Sequence, residues 1–146
     1  MEVKKITLIS NNICYGPSPK ADEEVEQRLT ILKNGRVWFS GYNYGSGYGK
    51  FEIGRKIQLS IGKKQAIFIL EKINKFFKNK NIDMFATDIG LWELLIVNEN
   101  NEVNKFSGSL FGGVIEDNID LTELIRKSIP IENLFVFDDL DYEDEI

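Results

Sequence analysis

Residues 41–49 read Gly41-Tyr42-Asn43-Tyr44-Gly45-Ser46-Gly47-Tyr48-Gly49, with four glycines and three tyrosines in nine positions. Tyrosine brings rigid, amphipathic contact area at low entropic cost, and glycine lets a backbone approach its partner closely. This is the composition of a recognition loop, with Tyr42, Tyr44 and Tyr48 as its contact residues. The plainer reading is a long hairpin connection whose tyrosines cover a sheet edge. The stretch is no phosphate cradle. It lacks the Gly-Lys-Ser/Thr ending, and its glycines do not have dinucleotide spacing ahead of a helix.

The run Asp88-Ile89-Gly90-Leu91-Trp92-Glu93 sets a carboxylate beside a glycine turn and a tryptophan. Such a wall could hold an acid of raised pKa, as glycosidases need. Asp88 and Glu93 are five apart, which on a strand puts them on opposite faces and keeps them from working as a pair. The alternative is that Asp88 caps a turn, Trp92 packs in the core and Glu93 pairs with a lysine.

Nucleophilic and metal chemistry are poorly supplied. The chain has no histidine, which removes the commonest general base and metal ligand, and its one cysteine, Cys14, cannot build a zinc cage. Ser107 and Ser109 lie near glycines without an adjacent base. Ser60 and Lys63 fit Ser-x-x-Lys, but the accompanying Ser-Asp-Asn and Lys-Thr-Gly strings are absent, so Ser60 reads as a helix-start residue. Glu116, Asp117 and Asp120 could meet a hard cation, yet their spacing is not that of a calcium loop and suits helix capping better. Cys14 reads as a small buried apolar residue. We expect no cofactor, no metal and no catalytic residue.

Charge narrows the partners. The net charge is −5, but six of the 23 acids (Asp138, Asp139, Asp141, Glu143, Asp144, Glu145) crowd into residues 138–146, leaving 17 acids against 18 bases elsewhere. A nearly neutral body without a basic stripe is a poor nucleic-acid binder. The acidic tail reads as solvated, or as an electrostatic lure for a basic partner. No run approaches the roughly 18 apolar residues of a membrane span. Residues 1–6 do not form a signal peptide, and a single cysteine gives no reason to expect an oxidising compartment, so the expected location is the cytoplasm. Three alanines against nineteen isoleucines, fourteen lysines and thirteen asparagines point to an AT-rich, bacterial genome.

The elements that must position these residues follow from periodicity. Alternation predicts strands over 3–10, 25–33, 36–42 and 51–60, with an Asn34-Gly35 hairpin turn between the second and third. Ala66, Ile67, Ile69, Leu70, Ile73, Phe76 and Phe77 then fall at helical spacing between about residues 63 and 78, with Asn79 and Asn81 at the exit. A second hairpin spans 91–97 and 102–110. Its first strand is apolar on both faces and so reads as central and covered on both sides. Asp120 opens a short helix to about 128, Pro130 stops it, and 134–137 adds a last strand. The fold class is α+β: one domain, residues 1–137, with a twisted, mainly antiparallel sheet, one long amphipathic helix and one short helix. A sheet folded as two halves is the alternative.

Three strings, Gly90-Leu91-Trp92-Glu93-Leu94, Phe106-Ser107-Gly108-Ser109-Leu110 and Leu134-Phe135-Val136-Phe137-Asp138, together with residues 35–42, resemble small uncharacterised proteins of low-GC Gram-positive bacteria. The resemblance spans roughly residues 25–138 and brings no activity with it, so it transfers no catalytic residue. The order of elements is also similar to that of small intracellular protease inhibitors of the emfourin type, in architecture only.

Three functions follow. The first is a non-catalytic protein-binding module, inhibitor-like or immunity-protein-like, using the tyrosine loop. The second is a small-molecule binder or carboxylate-dependent enzyme with a pocket lined by Trp38, Tyr42, Asp88 and Trp92. The third is a structural domain that self-associates through edge strands. The expected partner is a protein, with neither nucleic acid nor membrane; the oligomeric state is left open.

Overall fold

Alternating apolar residues build a six-stranded sheet, and an apolar helical stripe lies across one side of it. The computed structural model describes residues 2–13, 18–47, 50–78 and 90–138. Strands β1 (Val3–Asn11), β2 (Glu24–Leu32), β3 (Arg36–Asn43) and β4 (Glu52–Ser60) precede helix α1 (Lys63–Phe77). Then come β5 (Leu91–Asn98), β6 (Val103–Ser109), the short strands β7 (Ile115–Glu116) and β8 (Ile119–Asp120), and helix α2 (Leu121–Ser128). The sheet order is β4-β3-β2-β1-β5-β6, with every pairing antiparallel. Among the described residues no helix is long and apolar enough to cross a membrane.

One face of the sheet is covered. Ile6 and Leu8 of β1, Leu29 and Ile31 of β2, Val37 and Phe39 of β3, and Leu94 and Ile96 of β5 are buried there. Against them α1 packs Ala66, Ile69, Leu70, Ile73, Phe76 and Phe77. Each large side chain on that stripe contributes about 1.5–3 kcal/mol when fully buried. At 15 residues α1 is a helix of ordinary length, not a long one. Its N-cap is Gly62, with no side-chain cap, and Ser60 instead ends β4 opposite Arg36. Ser60 is therefore no helix-start residue: the chain stays extended through it. The helix exit at Asn79 and Asn81 lies outside the described residues.

Four further expectations are corrected. Among the described residues β5 is covered on one side only. Both helices lie on one side of the sheet, and Leu91 is 52% exposed on the other. Residues 134–137 form no strand but an irregular strap over the covered face, tied to the chain after β6 by a bridge between Phe111 and Asp138. Asp138, counted above with the acidic tail, is buried and paired with Arg126; residues 139–146 lie outside the described residues. The Asn34-Gly35 connection has three residues, and only Gly35 has positive φ (96°) there, which fits a type I turn followed by a bulge. The turn with two positive φ values is instead Asp117-Asn118 (52° and 63°), joining β7 to β8.

Asp120 caps α2, accepting from the backbone N–H groups of Thr122 (3.0 Å) and Glu123 (3.3 Å). Asp120→Ala should lower stability by about 1 kcal/mol in urea unfolding. Asp117 accepts from Lys72 Nζ at 2.6 Å and Lys75 Nζ at 3.0 Å. Those hydrogen bonds, Lys72's foremost, hold its carboxyl below the usual carboxylate range. A depressed folded value means that the pair's contribution is present above the unfolded pKa and is lost as pH falls through the folded one. Carboxyl NMR titration should show Asp117 titrating below a free aspartate, and Lys72→Ala should move it upward.

Candidate functional site

The other face of the sheet carries no covering layer among the described residues, and its composition follows from strand parity. On β3 the inward set is Val37, Phe39 and Gly41, so Arg36, Trp38, Ser40 and Tyr42 face out. The register aligns Trp38 with Gln58 of β4 on one side and Thr30 of β2 on the other. Thr30 is opposite Thr7 of β1, their hydroxyls 3.1 Å apart, and Thr7 is opposite Leu95 of β5. The neighbouring row runs Lys56, Ser40, Arg28, Ile9, Glu93, Ser107.

Trp38 is 43% exposed on this face, one strand in from the β4 edge. A hollow of about 330 Å³ opens toward β1, lined by Lys5, Leu32, Lys33 and Trp38 among others. A second, also about 330 Å³, opens toward β4 between Arg36, Trp38, Gln58 and Ser60. At the far end, Ile9, Asn11, Glu26, Leu91 and Ser107 line a third of about 470 Å³. Tyr42 is half-buried on the same face, with the Arg28 guanidinium 5.2 Å from its ring centre.

Acids on this face are paired. Glu26 meets Arg28 at 3.5 Å, Glu93 meets Lys105 at 3.2 Å, and Glu99 binds Lys33. The Glu99 hydrogen bond also raises the Lys33 pKa above the ordinary lysine value. Exposed pairs like these add little stability; their effect is to neutralise the acids.

The sequence candidates separate. Trp38 and Tyr42 share the open face. Trp92 points the other way, 2% exposed, its indole N–H donating to the Ser109 carbonyl at 3.1 Å. One pocket wall cannot hold both tryptophan side chains. Tyr44 lies beyond β3, half-buried, its ring 6.1 Å from that of Phe51. Tyr48, Asp88 and Cys14 lie outside the described residues. Sequence reasoning missed Lys5, Lys56 and Leu32 as neighbours of Trp38, because only the strand register brings them there.

A polar network that the sequence did not announce fixes the strap on the covered side. Buried Gln27 donates to the Asn133 carbonyl (2.7 Å) and accepts from Phe135 N–H (2.7 Å). Arg126 donates to the Leu134 carbonyl (2.9 Å) and to the Asp138 carboxylate. Arg55 donates to Glu24 through two nitrogens (2.6 and 2.8 Å) and to the Glu132 carbonyl (2.8 Å). These bonds satisfy backbone groups in a segment without regular structure, so their role is architectural.

No protein-family model matches this chain, and none of the curated proteins is similar to it.

Proposed function

We propose that this chain is a non-catalytic protein-binding module that engages its partner through the open face of the sheet. The observation that carries the reading is Trp38, held exposed on a backbone-paired surface, one strand in from its edge, with Arg28, Arg36 and Tyr42 on the same side. Tryptophan, tyrosine and arginine dominate the energetics of protein interfaces. Strands hold them in place before the partner arrives, which lowers the entropy lost on binding. The lack of any histidine in the chain favours binding over acid–base chemistry. Inhibitor-like or immunity-protein-like action, in a bacterial cytoplasm, belongs to the same reading.

The test is recovery of the tagged protein from its host under mild conditions. The wild type and a Phe68→Glu variant, altered on the helix side, should retain the same stoichiometric protein. A Trp38→Glu variant should lose it. Equal retention by all three would remove the open face from consideration.

A further inference from the structure

The open face has a local charge surplus opposite in sign to that of the whole chain. Glu26, Glu93 and Glu99 are each matched by Arg28, Lys105 and Lys33. Lys5, Arg36 and Lys56 have no ion-pair partner among the described residues, and Lys4 bonds only the neutral Asn101 side chain. These cations surround Trp38. Arg36 precedes it by two on β3, Lys56 lies diagonally across on β4, and Lys5 lines the hollow on its β1 side. The two hollows beside the indole therefore each contain an unpaired cation, Lys5 in one and Arg36 in the other.

We infer that the partner presents an acidic protein segment that crosses Trp38, seating a side chain in each flanking hollow and setting carboxylates against Lys5 and Arg36. This rests on the open face being the binding surface. Charge complementarity of this kind steers encounter and fixes register. Leu32, which lines the hollow on the β1 side of Trp38, gives an apolar side chain of the segment a place to pack. A nucleic-acid strand would need a longer track of cations, because its phosphates supply most of the affinity.

The probe is short poly-L-glutamate, read by acrylamide quenching of tryptophan fluorescence. Trp92 is buried and Trp38 is not, so quenching reports on Trp38. At low salt, poly-L-glutamate should reduce quenching several-fold, and poly-L-lysine should not. The protection should vanish at about 0.5 M salt, where charges are screened within a few ångströms. It should vanish too in Lys5→Glu/Arg36→Glu. Lys5→Gln/Arg36→Gln should weaken it, with an unchanged circular dichroism spectrum showing that the fold is kept. Absence of protection, equal protection in the charge-reversed variant, or equal or better protection by oligothymidylate would each overturn the inference. A natural partner released by Trp38→Glu but held equally by Lys5→Glu/Arg36→Glu would leave the face reading standing and remove the acidic segment. A partner indifferent to Trp38→Glu would remove the face reading itself.

Discussion

Replacing Trp92 with alanine is expected to destabilise the fold by about 3–5 kcal/mol, the range for deleting a buried aromatic side chain. Trp92 is the largest side chain in the core. Its ring packs edge-on to Phe137 at 4.9 Å and to Phe77 at 5.7 Å, and Phe77 in turn lies 4.9 Å from Phe106. The cluster joins α1, two strands and the C-terminal strap, so the cavity would open where three kinds of element meet and could collapse little. The substitution also leaves the Ser109 carbonyl without its indole donor. Against a total stability of about 5–15 kcal/mol for a domain, the loss is severe. Urea unfolding followed by circular dichroism should show the midpoint falling sharply. A change under 1 kcal/mol would mean that the cluster is not the centre of the core.

Trp38→Ala should behave in the opposite way. The side chain is 43% exposed on the open face and lies outside the packed core, so the unfolding free energy should fall by about 1 kcal/mol, well short of the Trp92 loss. Binding to the partner should weaken by about 2 kcal/mol or more, roughly thirtyfold, because an aromatic anchor at the centre of an interface is the usual hot spot. Titration calorimetry with the recovered partner measures this directly. The two tryptophans thus give a paired experiment, in which stability responds chiefly to Trp92 and affinity to Trp38.

Strands and helices were legible where local periodicity acts alone. Ile57 and Leu59 alternate along β4, and the Ala66–Phe77 stripe has helical spacing, because burial of one face imposes the period. Ile53, in the same apparent alternation, is 59% exposed, because a bulge beside Arg55 turns it to the side of Tyr42. Grouping Trp38 with Trp92 in one pocket neglects strand parity: Val37 and Phe39 flank Trp38 and point inward, which turns it outward. What surrounds Trp38 was not legible. The pairings of Lys5 with Leu32 and of Ser40 with Lys56 depend on sheet order and register, which long-range contacts determine. The apolar pattern of β5 misled because Leu91 and Leu95 face the open side, where no second layer lies over them among the described residues. The strap over residues 131–138 had the composition of a strand. Its backbone is held by the side chains of Gln27, Arg55 and Arg126, and no spacing rule reveals such a partnership.

The most direct test of the open-face account places a photo-crosslinking amino acid at position 38 and, separately, at position 68 on the helix side, with irradiation in the native host. One discrete protein adduct from position 38 and none from position 68 is the result the account predicts. An adduct from position 68 alone, or none from either while a partner still co-purifies, would contradict it.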